Sequence, residues 1–226
     1  MKSTRMLAIV MVSAAAAQAA ESAANRLTEA AEVFSEIMAT PDKGIPQDLL
    51  EKAQCAVIVP GLKKGAFLVG GEFGKGFVEC RKSSGTGWGA PAAVRVEGGS
   101  VGFQIGGSST DVIMLVMNKR GMDRLMTNKF TLGADASVAA GPVGRTADAK
   151  TDAYMTAEIL AWSRSKGLFA GISLSGATLR NDLDGNKELY GSRLTNKEVL
   201  GGDRAAPEAA HKLIAELDKY SMRKEN

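Results

Sequence analysis

Three groups of side chains carry the chemistry this sequence offers. Lys63, Lys64, Lys75, Arg81 and Lys82 form a run of local basic points in the first half of the chain. Gathered on one surface, such cations attract anionic head groups, each contributing about 1 kcal/mol beside a charged membrane. Spread over turns, they solvate a sheet face and guard its edges. Phe67, Phe73, Phe77 and Trp88 stand among them and offer apolar contacts to a lipid. The second group is the carboxylates Asp111, Asp135, Asp182 and Asp184. Two of these in one pocket, with raised pKa values, would be acid–base machinery; scattered and exposed, they would not. The third group is Cys55 and Cys80. In an oxidising compartment they can form a disulfide, and closing a loop of that size adds about 3 kcal/mol. They serve equally as two buried thiols in neighbouring strands.

Other spacings fall short of the chemistry they suggest. Gly74-Lys75 lacks the upstream glycine of a phosphate loop, and Gly76 stands where Ser or Thr is needed. The stretch Gly85-Thr86-Gly87-Trp88-Gly89-Ala90 departs from the dinucleotide fingerprint and does not join a parallel strand to a helix. Asn181-Asp182-Leu183-Asp184-Gly185-Asn186 resembles a calcium loop. With Gly185 as its sixth position, Arg180 and Gly191 replace the first carboxylate and the bidentate glutamate. An Asx-rich turn is the simpler reading. Ser163-Arg164-Ser165-Lys166 has the nucleophile spacing of penicillin-recognising enzymes, without their Lys-Thr-Gly. The single histidine, His211, leaves no multi-histidine metal site and demotes histidine-assisted nucleophiles. The residues call for no cofactor and no metal.

The N-terminus accounts for most of the net charge. Lys2 and Arg5 precede the apolar run Met6–Val12, and Ala17-Gln18-Ala19 ends an alanine-rich exit. These are the three parts of a cleavable secretory signal, expected over residues 1–19. The formal charge of the whole chain is +3. The segment contains two basic and no acidic residues, so removing it leaves +1. A global charge that small does not support nucleic-acid binding. Periplasmic or secreted localisation is the expectation.

The elements that position these residues form one domain over residues 20–226. Residues 21–39 carry Leu27, Ala30, Ala31, Phe34, Ile37 and Met38 at helical spacing, and Pro41 and Gly44 end that helix. Pro46 opens a short second helix. Strands are expected at 56–59 (stopped by Pro60-Gly61), 66–70, 76–81, 92–97, 101–105 and 110–118. The last is continuously apolar and reads as buried on both faces. A helix follows at 119–127, then strands at 130–140, 153–162 and 168–177. Residues 178–202 are polar and turn-rich, and a closing helix runs from Pro207 to about Lys219. Fourteen of the 26 glycines lie between Gly61 and Gly107. They mark bends of a curling sheet or close approach of a ligand to the backbone. The fold class is α+β: a curled, glycine-rich antiparallel sheet or partial barrel, flanked by N- and C-terminal helices.

Several separated blocks carry a family resemblance from about residue 24 to residue 217. They begin with Ala56-Val57-Ile58-Val59-Pro60 before Lys63-Lys64-Gly65, and with Gly70-Gly71, Gly74 and Gly76. Trp88-Gly89-Ala90-Pro91 comes next, then Gly98-Gly99-Ser100-Val101-Gly102-Phe103-Gln104-Ile105-Gly106, and Thr110-Asp111-Val112 before Met117-Asn118. The later blocks are Ala139-Ala140-Gly141-Pro142-Val143-Gly144-Arg145, then Ser163-Arg164-Ser165-Lys166-Gly167-Leu168-Phe169-Ala170-Gly171, and Tyr190-Gly191. In these the chain resembles the SYLF lipid-binding family, in its bacterial exported branch. The resemblance implies a non-enzymatic module that binds membrane phospholipids. Its eukaryotic relatives prefer phosphoinositides, some act on actin, and an amphipathic N-terminal helix makes membrane contact. Residues 24–39 match that helix, but Glu29, Glu32 and Glu36 replace the basic face of an interfacial helix. Ser175 also stands where many relatives carry an acidic residue. For an exported chain, the resemblance implies phospholipid or envelope binding. The basic and aromatic residues above are the expected contacts. A structural envelope protein acting through protein partners is the first alternative, and a carboxylate enzyme the second.

Overall fold

The computed structural model describes residues 21–40, 44–67, 69–101, 106–144, 156–202 and 204–221. The segment read as a signal lies outside them, as do Arg145 and most of the strand expected at 101–105. Two helices lead, α1 (Ala23–Ala39) and α2 (Gln47–Lys52). Four long strands follow: β1 (Cys55–Phe67), β2 (Val69–Cys80), β3 (Ala92–Val101) and β4 (Gly106–Val116). Next come α3 (Lys119–Leu125), β5 (Lys129–Thr131), β6 (Val138–Ala140), β7 (Ile159–Ser165), β8 (Leu168–Gly171) and β9 (Thr178–Asn181). The chain closes with α4 (Leu183–Tyr190), α5 (Asn196–Leu200), a 3-10 turn at Glu208–Ala210 and α6 (His211–Ser221).

The described strands make one sheet in the order β5-β9-β3-β2-β1-β4-β7-β6, with β8 also on β7. All neighbours are antiparallel except β6 and β7, which run parallel through Val138 and Ile159. The sheet is therefore mixed, where sequence reading expects a purely antiparallel one. The pair is short, and the intervening chain leaves residues to travel back to the same end.

Alternation along the strands sorts side chains between two cores. Ala56, Ile58, Phe77, Ile113 and Leu115 join the buried faces of α1, α2 and α6. Val57, Val59, Val78, Val112, Met114 and Val116 join a second cluster. That cluster links Leu179 and Phe130 at one end of the sheet to Ile159 near the other, which requires the sheet to curl into a half-barrel. Strands buried on both faces read as unbroken apolar runs, as 110–118 does. α1 begins at Ser22, whose hydroxyl accepts from the Asn25 amide at 3.2 Å. Its buried Leu27, Phe34 and Ile37 each stabilise the packing by roughly 1.5–3 kcal/mol.

Pro60-Gly61 does not stop the first strand. β1 passes through it in a bulge: its register against β2 shifts between Ile58 and Lys63, and against β4 between Val59 and Leu62. Proline is tolerated at a bulge because its missing N–H falls where the ladder is interrupted. Gly61 takes φ 56°, which glycine adopts without strain, and its amide donates to Asp111 at 2.9 Å. The expected strand at 66–70 is split by the turn from β1 into β2. Cys55 and Cys80 are direct cross-strand partners and form a disulfide.

Candidate functional site

The hairpin leaving β2 builds one wall of a cavity. Arg81 and Trp88 form a bridge across it, and Gly85 (φ 81°) and Gly87 (φ 71°) provide the left-handed turns it needs. Arg81 lays its guanidinium over the Trp88 ring, 4.1 Å from the centroid. The same group donates to the carbonyls of Leu50 (3.1 Å) and Ser221 (2.8 Å). The Trp88 indole N–H donates to Ser221 Oγ at 2.9 Å. The end of β2 is thereby fastened to α2 and to the last turn of α6.

The opposite wall comes from more than a hundred residues further on. α5 ends at Gly201-Gly202, and the chain passes Arg204 and Ala206 into the first turn of α6. Arg204 lies over the Tyr190 ring at 5.5 Å, and Tyr190 donates its hydroxyl proton to the Pro91 carbonyl. The two walls border a half-open cavity of about 490 Å³. Lys82, Arg204 and His211 are exposed at this cavity, with Arg81 beside them. Trp88, Ala90, Val199 and Ile214 give it an apolar lining. No carboxylate lines it among the described residues. The arrangement suits an anion held against an apolar surface.

The structure separates the residues that sequence reading grouped. Arg81, Lys82 and Trp88 come together here. Lys63 and Lys64 lie at the other end of the sheet, since Lys63 pairs in register with Phe73. Eight residues of strand then separate them from Arg81, about 26 Å. Lys64 is also paired with Glu72 at 3.1 Å. Lys75 meets the buried Asp182 at 2.9 Å and is a structural cation. Phe77 is in the core, Trp88 is 1% exposed and Phe73 is 46% exposed. Phe67 lies on β1, with its side chain outside the described set.

The four carboxylates do not converge. Asp111 accepts from the Gly61 amide and from Arg164, at 3.0 Å from Nε and 2.9 Å from the second nitrogen. Asp135 accepts from the Thr131 amide at 2.7 Å, and Asp184 faces Arg193 at 3.3 Å. Glu79 is the carboxylate sequence reading missed. It is 1% exposed on β2, and neither oxygen has a hydrogen-bond partner. Burial holds its pKa well above the ordinary carboxylate range, and the Asp218 charge adds to the effect. Burial also raises the Tyr190 phenol, Glu79 adds to that rise, and Arg204 opposes it. Only the polar interruption in Gly76-Phe77-Val78-Glu79-Cys80 hinted at such a group.

α1 buries its apolar stripe against α6 and the sheet. Two of its three glutamates face cations of this chain: Glu36 pairs with Arg164, and Glu32 with Lys212 at 3.0 Å. Among the described residues, no helix is long and apolar enough to cross a membrane.

The family model described as Ysc84, Las17-binding protein actin regulator, matches residues 97–220. The chain belongs to this Ysc84, or SYLF, family. An SH3 domain-containing protein of Schizosaccharomyces pombe is 40% identical over 177 residues, which is 77% of this chain and 41% of that protein. Protein YSC84 of Saccharomyces cerevisiae is 34% identical over 184 residues, 80% of this chain and 39% of the relative. The human SH3 domain-containing YSC84-like protein 1 is 33% identical over 196 residues, 85% and 57% of the two chains. The chain spans about two fifths to three fifths of the length of these relatives. Two of these relatives are named for an SH3 domain.

Proposed function

We propose that this SYLF domain is a non-catalytic module that binds anionic phospholipid at the bacterial envelope. In this reading, Lys82, Arg204 and His211 receive the head group at the cavity mouth. The observation that carries it is their convergence on one apolar-walled cavity. Export belongs to the same proposal and rests on residues 1–19. N-terminal sequencing of the protein from its native host tests it, with Ala20 expected as the first residue.

Flotation with neutral and anionic vesicles, at low and high salt, tests the lipid reading. Binding is expected to anionic vesicles only, and to fall with salt. K82E/R204E is expected to weaken it at least tenfold, because each cation contributes about 1 kcal/mol near the surface. K63E/K64E, at the far end of the sheet, is expected to leave it within twofold. The reverse result would move the contact surface to the sheet tip. A second reading, docking to a protein, is favoured by the family's description as Las17-binding protein actin regulator. Absence of flotation under all conditions, with a stable partner in a pull-down, would put that reading first.

A further inference from the structure

We infer that the cavity encloses a single-chain anionic amphiphile, a fatty carboxylate or an alkyl phosphate, and does not only touch a head group held in a bilayer. The inference rests on the head-group reading for the charged end of the ligand and goes beyond it at the apolar end. The cavity opens where the two cores meet. Trp88 and Ile214 belong to the helix side, while Ala90 and Val199 belong to the half-barrel side. A site that met only a surface phosphate would need cations and no apolar chamber behind them. Here the chamber is about 490 Å³, within the range that buries most of a small ligand. Its walls are fixed: the Trp88 ring is held by Arg81 and by Ser221, and Val199 is buried. Cations beside apolar walls select a ligand with one anionic end and one hydrocarbon end.

The test is calorimetric titration of the full chain, below micelle formation, with octanoate, decanoate, dodecanoate, dodecyl phosphate, dodecanol and inorganic phosphate. One saturable site is expected. Affinity should tighten about fourfold per added methylene. Dodecanol and inorganic phosphate should each bind at least tenfold more weakly than dodecyl phosphate. The stronger of dodecanoate and dodecyl phosphate identifies the preferred head. A flat chain-length series, equal binding of dodecanol, or more than one ligand per chain would overturn the inference. Ala206→Trp, which puts a ring into the cavity, should abolish amphiphile binding. Should that variant fail to fold, the wild-type chain series decides alone. Flotation with a flat series defeats enclosure and leaves the head-group reading standing. Amphiphile binding without flotation does the opposite.

Discussion

Glu79 makes the folded state sensitive to pH from inside the core. Its folded pKa is raised above that of the unfolded chain, so the native state holds the proton more tightly. The stability this represents is complete below the unfolded value near 4.5 and is lost as pH rises through the folded value. Glu79→Gln keeps the shape and removes the titration. Urea unfolding should show the variant more stable than wild type at pH 8, with the difference shrinking toward pH 4. A constant difference would mean that Glu79 is charged or compensated in the fold. The candidate site was legible at this scale only where its residues are close in sequence. Arg81, Lys82 and Trp88 come from one hairpin. Arg204 and His211 arrive from more than a hundred residues away, and no local pattern announces that. Lys75 looked like its neighbours in sequence, yet it is committed to Asp182.

The bulge at the level of the element explains where the glycines are indispensable. Gly76 faces the kinked part of β1. A Cβ there would overlap the Ile58 carbonyl oxygen and come within 2.7 Å of Val59 Cα. Backbone cannot step aside as a side-chain tip can. Gly76→Ala is expected to cost about 3 kcal/mol, the upper end of the overpacking range, as a lowered urea midpoint. Gly99, by contrast, has open space around it, and Gly99→Ala should cost under about 1 kcal/mol. Both terminal helices and the two-faced burial of 110–118 were readable from period and composition, whereas β1 and β2 are longer than the short strands expected there. α4 was not: Asn181-Asp182-Leu183-Asp184-Gly185-Asn186 has the composition of a turn. The buried Asn186 accepts from the Ala93 amide at 2.7 Å and donates to the Leu194 carbonyl at 2.7 Å. Those tertiary bonds override the local preference. Pro60 misled for a related reason, because the bulge that tolerates it is a property of three paired strands.

Across the whole molecule, Arg164 binds the N-terminal helix to the sheet. It carries Asp111 of β4 on one side and Glu36 of α1 on the other. Arg164→Ala is expected to cost about 1.5–3 kcal/mol, as hydrogen bonds to charged groups do. Glu36→Ala, at the exposed end of the pair, should cost under about 1 kcal/mol. Equal losses would mean that the Asp111 contact contributes little. The same packing fixes the position of α1 on the domain. α1 cannot turn its apolar stripe outward without emptying the first core of Leu27, Phe34 and Ile37.

Ser221 has a further consequence, in time and not in space. It receives the Trp88 indole and the Arg81 guanidinium, and its helix covers α1. A ribosome adding about 5–20 residues per second releases α6 roughly 10–40 s after α1. For that interval the first core lacks its lid, and the nascent chain stays open to whatever handles unfolded polypeptides. A domain whose first core waits for α6 stays threadable until that helix has been made, long after α1.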